Sequence, residues 1–308
     1  MLAEYAIQNV KGIKESFDNA ASNKIMEYKD ANLFTMENTS EVTEIFTSTE
    51  GMTGAKELGE LETPPVLSLE DGYSVSLTEK RFGGAIILSE SEYKRYDGDS
   101  SVKVAQFLER KRNQLLLEVT NYFLVETHKF YNEAFVSTEF LAPDGAVLCG
   151  VHTWKSGGTF DNGITAVLSE SAIDERMEYA GAFTDPSGKP MPLNFTTLVV
   201  KKGSAAHREA IRIFASGINP TAVADVNIYE GGSFKIIATP YISYANRLNW
   251  FLIDESLENP LYVGIGQMPS MNEPIKESNE AIRSNVTGFW KQGINNLPYA
   301  ITGSTGAA

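Results

Sequence analysis

The stretch Tyr73-Ser74-Val75-Ser76-Leu77-Thr78-Glu79-Lys80-Arg81-Phe82-Gly83-Gly84-Ala85-Ile86-Ile87-Leu88 sets the frame for the rest of the chain. Tyr73, Val75 and Leu77 alternate with Ser74, Ser76 and Thr78, the period of two that marks a half-buried strand. Lys80-Arg81 leads into a second strand-like run ending at Leu88, so the segment is read as a long two-stranded hairpin with its tip near Lys80. An isolated two-stranded ribbon is marginal in water, and polar flanks give this one no evident partner inside a compact domain. The sequence therefore predicts an outside support, a second subunit being the first candidate. The plainer alternative is a hairpin at a sheet edge. Tyr73, Val75, Leu77, Lys80, Arg81 and Phe82 are accordingly the candidate inter-subunit contacts.

Downstream lies the strongest helical signal, over residues 100–135, where Val104, Leu108, Leu115, Val119, Tyr122 and Phe130 recur at three-, four- and seven-residue steps. Asp99 or Ser100 can cap its start, and neither Pro nor Gly interrupts it. Such a helix would run about 50 Å, a spine long enough to cross a domain. Arg110-Lys111-Arg112 lies within it, but residues 99–135 hold five acids and five bases, which suits a solvated or intersubunit face better than a nucleic-acid patch. Upstream, residues 37–71 carry nine acids against Lys56 alone, a balance of −8. A Thr/Ser-rich acidic lead-in of this kind has too little apolar area to offset its ordering entropy and is expected to behave as an extended arm, the plainer alternative being a solvated, partly disordered N-terminus.

The whole chain of 308 residues is 42% hydrophobic, enough for one large domain or two modest ones, and carries a net charge of −14. That charge argues against a protein that grips nucleic acid through a basic face. Cys149 is the sole cysteine, which excludes an intrachain disulfide and a Cys-rich zinc site. No apolar run approaches the roughly 20 residues that span a bilayer. Met1-Leu2-Ala3-Glu4-Tyr5 carries no readable secretory signal, so the expected compartment is a cytoplasm.

Residues 150–267 alternate strand-like and helix-like pieces in an α/β or α+β manner. Residues 169–183 look helical with Ser169 as cap, followed by a turn at Asp185-Pro186-Ser187-Gly188. Residues 195–200 read as a buried strand, 204–215 as a helix, and 234–238, 250–253 and 261–265 as further strands. Pro269 and Pro274 mark a boundary, and the apolar tail over 281–301 is expected to return to a sheet, with a frayed end after Thr302.

Candidate chemistry is sparse. Cys149-Gly150-Val151-His152 places a thiol near a base, but no third group stands at a readable spacing, and a structural role fits better. His128, His152 and His207 share no metal-ligand spacing. Gly157-Gly158 and Gly231-Gly232 lack the lysine and helix of a phosphate loop and read as turns. No carboxylate sits in an apolar neighbourhood suited to general acid work, so no catalytic, cofactor or metal residue is predicted.

The order of parts, together with Val151-His152-Thr153-Trp154-Lys155-Ser156-Gly157-Gly158-Thr159, Asp185-Pro186-Ser187-Gly188-Lys189-Pro190, Thr197-Leu198-Val199-Val200, Ala238-Thr239-Pro240-Tyr241, Asn249-Trp250-Phe251-Leu252-Ile253-Asp254 and Glu258-Asn259-Pro260-Leu261, resembles the Hong Kong 97-type major capsid proteins of tailed phages. Within them it is most similar to the major head subunit of Mu-like phages. The resemblance covers most of the chain in element order and is closest over residues 150–270. It implies an α+β capsid fold with an N-terminal arm (1–65), an extended E-loop (66–96), a peripheral domain with the spine helix (97–149), an axial domain (150–268) and a returning peripheral segment and tail (269–308).

The function so implied is structural rather than enzymatic. Copies form hexamers and pentamers that close into an icosahedral or elongated shell around double-stranded DNA, contacted weakly and non-specifically, in a virion assembled in the host cytoplasm. Net negative charge keeps packaged DNA from adhering to the wall. Relatives with a long cleaved N-terminal extension carry their own scaffold. Here about 60 residues precede the hairpin, which points to a separate scaffolding protein, with a portal and a decoration protein as further partners and no membrane. One relative joins an E-loop lysine to a neighbour's asparagine; Lys80 is the only candidate here, and a solvated lysine is the plainer reading. Two alternatives share parts of this evidence: an encapsulin-type cellular compartment, and a cytosolic cysteine hydrolase using Cys149 and His152.

Overall fold

The computed structural model describes residues 2–53, 57–58, 63–64, 68–95, 101–215 and 234–307. The chain opens with α1 (Leu2–Asp30), β1 (Thr35–Asn38), β2 (Thr43–Thr53), β3 (Ser68–Thr78), β4 (Lys80–Leu88) and α2 (Glu90–Arg95). Then come α3 (Ser101–Thr127), α4 (Lys129–Asn132), β5 (Val151–Thr153), β6 (Thr159–Asp161), β7 (Gly163–Ile164), α5 (Glu170–Ala180), β8 (Thr197–Lys201) and α6 (Ala205–Ala215). The last part holds β9 (Lys235–Thr239), β10 (Trp250–Ile253), β11 (Leu261–Met271), β12 (Ile275–Lys276), β13 (Ile282–Ile294) and β14 (Ile301–Ser304). These elements form two compact units, each assembled from three stretches of chain. No described helix is long and apolar enough to cross a membrane.

The first unit comprises Met1–Glu44, Leu77–Thr127 and Val263–Gln292. Its sheet runs β1-β11-β13-β12, with β4 also paired to β13. Helix α1 packs along α3, burying Val10, Phe17, Ala21 and Ile25, a stripe at seven- and four-residue steps. This corrects the expectation of an extended arm. The acidity of residues 37–71 does not extend to residues 2–30, whose acids and bases nearly balance and whose amphipathic helix supplies an apolar stripe for burial.

The second correction concerns the hairpin. Only Glu79 separates β3 from β4, too short for the two-residue turn that reverses a ribbon, so the chain runs straight on and changes partner. Strand β3 pairs with β2, whereas β4 pairs antiparallel with β13 from Ile282↔Leu88 to Trp290↔Lys80. The Glu79 amide donates to the Val42 carbonyl at 2.8 Å at the point of exchange. Gly83 is a close-approach glycine, since a Cβ there would lie 2.2 Å from the Val286 carbonyl oxygen.

The spine ends earlier than expected, at Thr127, which makes α3 about 40 Å long. Asp99 and Ser100 lie outside the described residues. Pro269 does not end a strand: β11 runs through it, and the Met271 amide beyond donates to Asp18 Oδ1 on α1 at 2.8 Å.

The second unit comprises Ile45–Ser76, His128–Tyr262 and Gly293–Ala308. Its sheet has the order β7-β14-β10-β8-β9, with β8 and β9 parallel and α6 lying between them in sequence. Strand β10 is buried at all four positions, as its unbroken Trp250-Phe251-Leu252-Ile253 run requires of a central strand. Ser169 caps α5 by accepting from the Ala172 amide, and Gly188 closes the predicted turn with its amide on the Asp185 carbonyl. Among the described residues the end after Thr302 is ordered against the sheet rather than frayed. Strand β14 is buried through Ser304, and the Gly303 and Thr305 amides donate to Asn162 and Ile164 carbonyls.

Candidate assembly interface

Strands β2 and β3 form a two-stranded sheet, or ribbon, of their own. Its alternation sorts the side chains by face: Phe46, Ser48 and Glu50 of β2 and Tyr73 and Val75 of β3 are buried or half-buried, whereas Ile45, Thr47, Ser74 and Ser76 face outward. Thr47 Oγ1 and Ser74 Oγ lie 3.1 Å apart across the strands. Ile45 is 70% exposed, a large apolar side chain on an otherwise hydroxyl-lined face.

The ribbon is anchored at one end. Glu50, 4% exposed, accepts from the Lys155 amide at 2.6 Å, the Ser156 amide at 2.8 Å and the Ser156 hydroxyl at 2.6 Å. Lys155 Nζ in turn donates to the Asp71 and Gly72 carbonyls at 3.2 and 2.9 Å. Both partners sit in the turn joining β5 to β6, where Gly157 and Gly158 hold φ of 107° and 93°. Tyr73 packs against the core of the second unit. The turn reading of Gly157-Gly158 thus holds, while Glu50, read only as one acid of the lead-in, is the anchoring residue. Nothing in its local sequence distinguishes it from Glu57 or Glu60.

The remaining candidates lie in the first unit. Leu77 and Phe82 are buried inside their own chain; Phe82 meets Trp290 edge-on at 4.0 Å, with Phe123 at 6.4 Å and Tyr122 at 6.3 Å. Lys80 and Arg81 are exposed, and the Arg81 guanidinium lies 5.8 Å from the Phe289 ring centre. The fully buried Lys291 pairs with Glu44 at 2.8 Å and donates to the Glu41 carbonyl at 2.7 Å, so the start of the ribbon is tied down by a charge as well.

The thiol and its neighbouring histidine are not arranged for attack. Cys149 is buried, and burial pushes its thiol well above the ordinary range. His152 has Nδ1 3.1 Å from Asp144 Oδ2 and Nε2 3.3 Å from the Leu148 carbonyl, so both nitrogens are engaged away from the thiol. Burial alone would raise the Asp144 carboxyl, but hydrogen bonds from His152 and the Thr153 amide outweigh it and hold the carboxyl below its usual value. His128 shares a 2.9 Å hydrogen bond with Thr239, and His207 accepts from the Gly203 amide. Among the described residues no three His, Cys, Asp or Glu side chains are grouped to hold a metal. Gly231-Gly232 lies outside the described residues.

This mixed α/β fold is shared with solved chains from phages and from a capsid particle. A chain from Microbacterium phage Oxtober96 shares it at TM-score 0.53 and 9% identity, over 89% of both chains. A chain from Mycobacterium phage Patience does so at 0.51 and 14%, covering 95% of this chain and 87% of its own. The capsid of an empty GTA particle contains another, at 0.50 and 9%, covering 90% and 89%. The likeness is one of fold. No family profile and no curated protein matches the sequence.

Proposed function

We propose that this chain is the shell-forming major capsid subunit of a tailed phage, built on the Hong Kong 97-type fold. The observation that carries the proposal is end-to-end agreement of fold with a capsid chain and with phage chains over about nine-tenths of each length. An element order of lead-in, ribbon, spine helix, intervening α/β unit and returning strands supports it, as does a ribbon that projects an exposed Ile45 with no partner required by the chain's own core. On this reading the first unit is the peripheral domain, the second contains the axial domain, and the β2–β3 ribbon is the E-loop, displaced toward the N-terminus from the 66–96 assignment.

Hexamers and pentamers of the chain would enclose double-stranded DNA in a virion, with a separate scaffolding protein and a portal. Tyr73 and Val75 lie on the ribbon's inward face, whereas Ile45 on the ribbon, with Lys80 and Arg81 at the exchange point, is offered to a neighbour. Leu77 and Phe82 support them from within. Affinity to the Mu-like branch rests on the quoted motifs alone.

Sedimentation and negative-stain imaging test the proposal, with the protein expressed alone and beside candidate scaffold genes. Closed shells, or rings of five and six subunits, are expected; a monodisperse 33.8 kDa monomer under every condition refutes it. Shell contents separate a phage head from an encapsulin, since an enzyme cargo belongs to the latter. Reversing Lys80 and Arg81 to glutamate should lower shell yield without unfolding the subunit.

A further inference from the structure

The second unit leaves open both an apolar side chain and an apolar cavity. Ile45 on β2 stands 70% exposed and shares the ribbon's outward face with the hydroxyls of Thr47, Ser74 and Ser76. An aliphatic group inside a polar rim is the anatomy of a contact anchor. The cavity, of about 320 Å³, is lined by Val167 and Leu168 ahead of α5, by Ala205, Ala206 and Glu209 on α6, and by Leu248 ahead of β10. Glu209, the charged residue of this lining, is paired with Arg212. Val167 is 52% exposed and Leu248 37%, so apolar surface continues from the cavity onto its rim.

Their charges are opposite. Residues 45–76, which carry Ile45, hold six acids against Lys56 alone. Residues 201–215, which carry the α6 wall of the cavity, hold Lys201, Lys202, Arg208 and Arg212 against Glu209 alone. Arg247, next to Leu248, places its guanidinium carbon 4.4 Å from the ring centre of Tyr244, itself 74% exposed. Tyr and Arg are the residue types most enriched where proteins touch. An acidic ribbon with an apolar knob therefore complements a basic, apolar recess, and Ile45's exposure shows that the pairing is not made within one copy.

We infer that the cavity receives Ile45 from the ribbon of a second copy, which deepens the shell reading and rests on it. Knob and recess are different patches of the chain, so the contact is head-to-tail. Each copy gives Ile45 to one neighbour and takes Ile45 from another, an arrangement that closes into rings when the rotation between copies permits. The basic rim alone would also attract nucleic-acid phosphates, but an apolar lining beneath it suits an aliphatic side chain and not a phosphate.

The test is disulfide cross-linking of the full chain, whose own Cys149 is buried. Ile45→Cys and Val167→Cys both alter exposed positions, so neither empties the core. Placed in one chain, they should give a ladder of linked oligomers on oxidation. Placed in separate chains and mixed, they should give dimers alone, and each variant by itself should give almost none. Ile45→Cys mixed with Val136→Cys, an exposed position outside the cavity lining, is the control. Ile45→Ser should raise the concentration at which copies associate by about tenfold, the contribution of one buried aliphatic side chain. Sedimentation of the unmodified protein separates the two readings. Rings or shells without the link from position 45 to position 167 overturn the inference and leave the shell reading standing, whereas linked dimers from a protein that never closes uphold the contact and count against the shell. An equal link to Val136→Cys, or unchanged association of Ile45→Ser, also overturns the inference, as does loss of the link on adding duplex DNA, which assigns the recess to nucleic acid.

Discussion

Replacing Glu50 by alanine should release the root of the ribbon while leaving the rest of the subunit folded. The wild-type carboxylate accepts three hydrogen bonds between 2.6 and 2.8 Å from Lys155 and Ser156. Charge-assisted bonds contribute about 1.5–3 kcal/mol each when water is excluded. Lys155 and Ser156 are themselves exposed, so water recovers part of that loss; a net cost of about 2 kcal/mol is expected, which raises local opening by about thirtyfold. Hydrogen exchange at the Lys155 and Ser156 amides reads this directly, because both amides donate to Glu50. Glu50→Gln keeps one acceptor oxygen and should lie between wild type and Glu50→Ala. Unchanged exchange at these two amides in Glu50→Ala would refute the anchoring role, as would a uniform loss of protection across β8 and β10.

Phe82→Ala should cost about 3 kcal/mol in denaturant unfolding, since it empties the space against Trp290; a loss under about 1 kcal/mol would show that the aromatic cluster collapses around the gap. The Asp144 carboxyl is held below its ordinary value in the folded chain, so its contribution is present above about pH 4 and is lost as pH falls through the folded value. Wild type should therefore lose more stability on acidification than Asp144→Asn, and equal acid slopes would contradict this. Cys149 should resist alkylation near neutral pH until the chain unfolds, as its burial and raised thiol dictate; fast reaction of the folded protein would reopen the hydrolase reading. Denaturing electrophoresis of assembled particles should give one 33.8 kDa band, and a ladder would instead implicate a cross-link such as one through Lys80.

Local pattern was a good guide wherever one element's own residues decide its state. Ser169 at the start of α5, the Asp185 to Gly188 turn and the apolar run Trp250-Phe251-Leu252-Ile253 each carry their reason in a few neighbouring positions. Pairing was less legible. Tyr73 to Leu88 does alternate as two strands, but each strand has a different partner, and only Val42 and the β13 register reveal it. Glu50 and Lys291 were equally silent: an anchoring carboxylate and a buried, paired lysine look like any other charges until the chain brings residues more than a hundred positions away against them.

By itself, then, the sequence determined the periods of its strands and helices, the turn at Gly157-Gly158, the sole thiol and the acidity of the lead-in, because these depend on contiguous residues and on backbone sterics. Tertiary structure alone decided that β3 leaves β2's company to become β4 beside β13 and that α1 has a surface to lie on. Those outcomes depend on which distant segments desolvate one another. Burial and charge pairing are properties of the three-dimensional neighbourhood, and no local period encodes them.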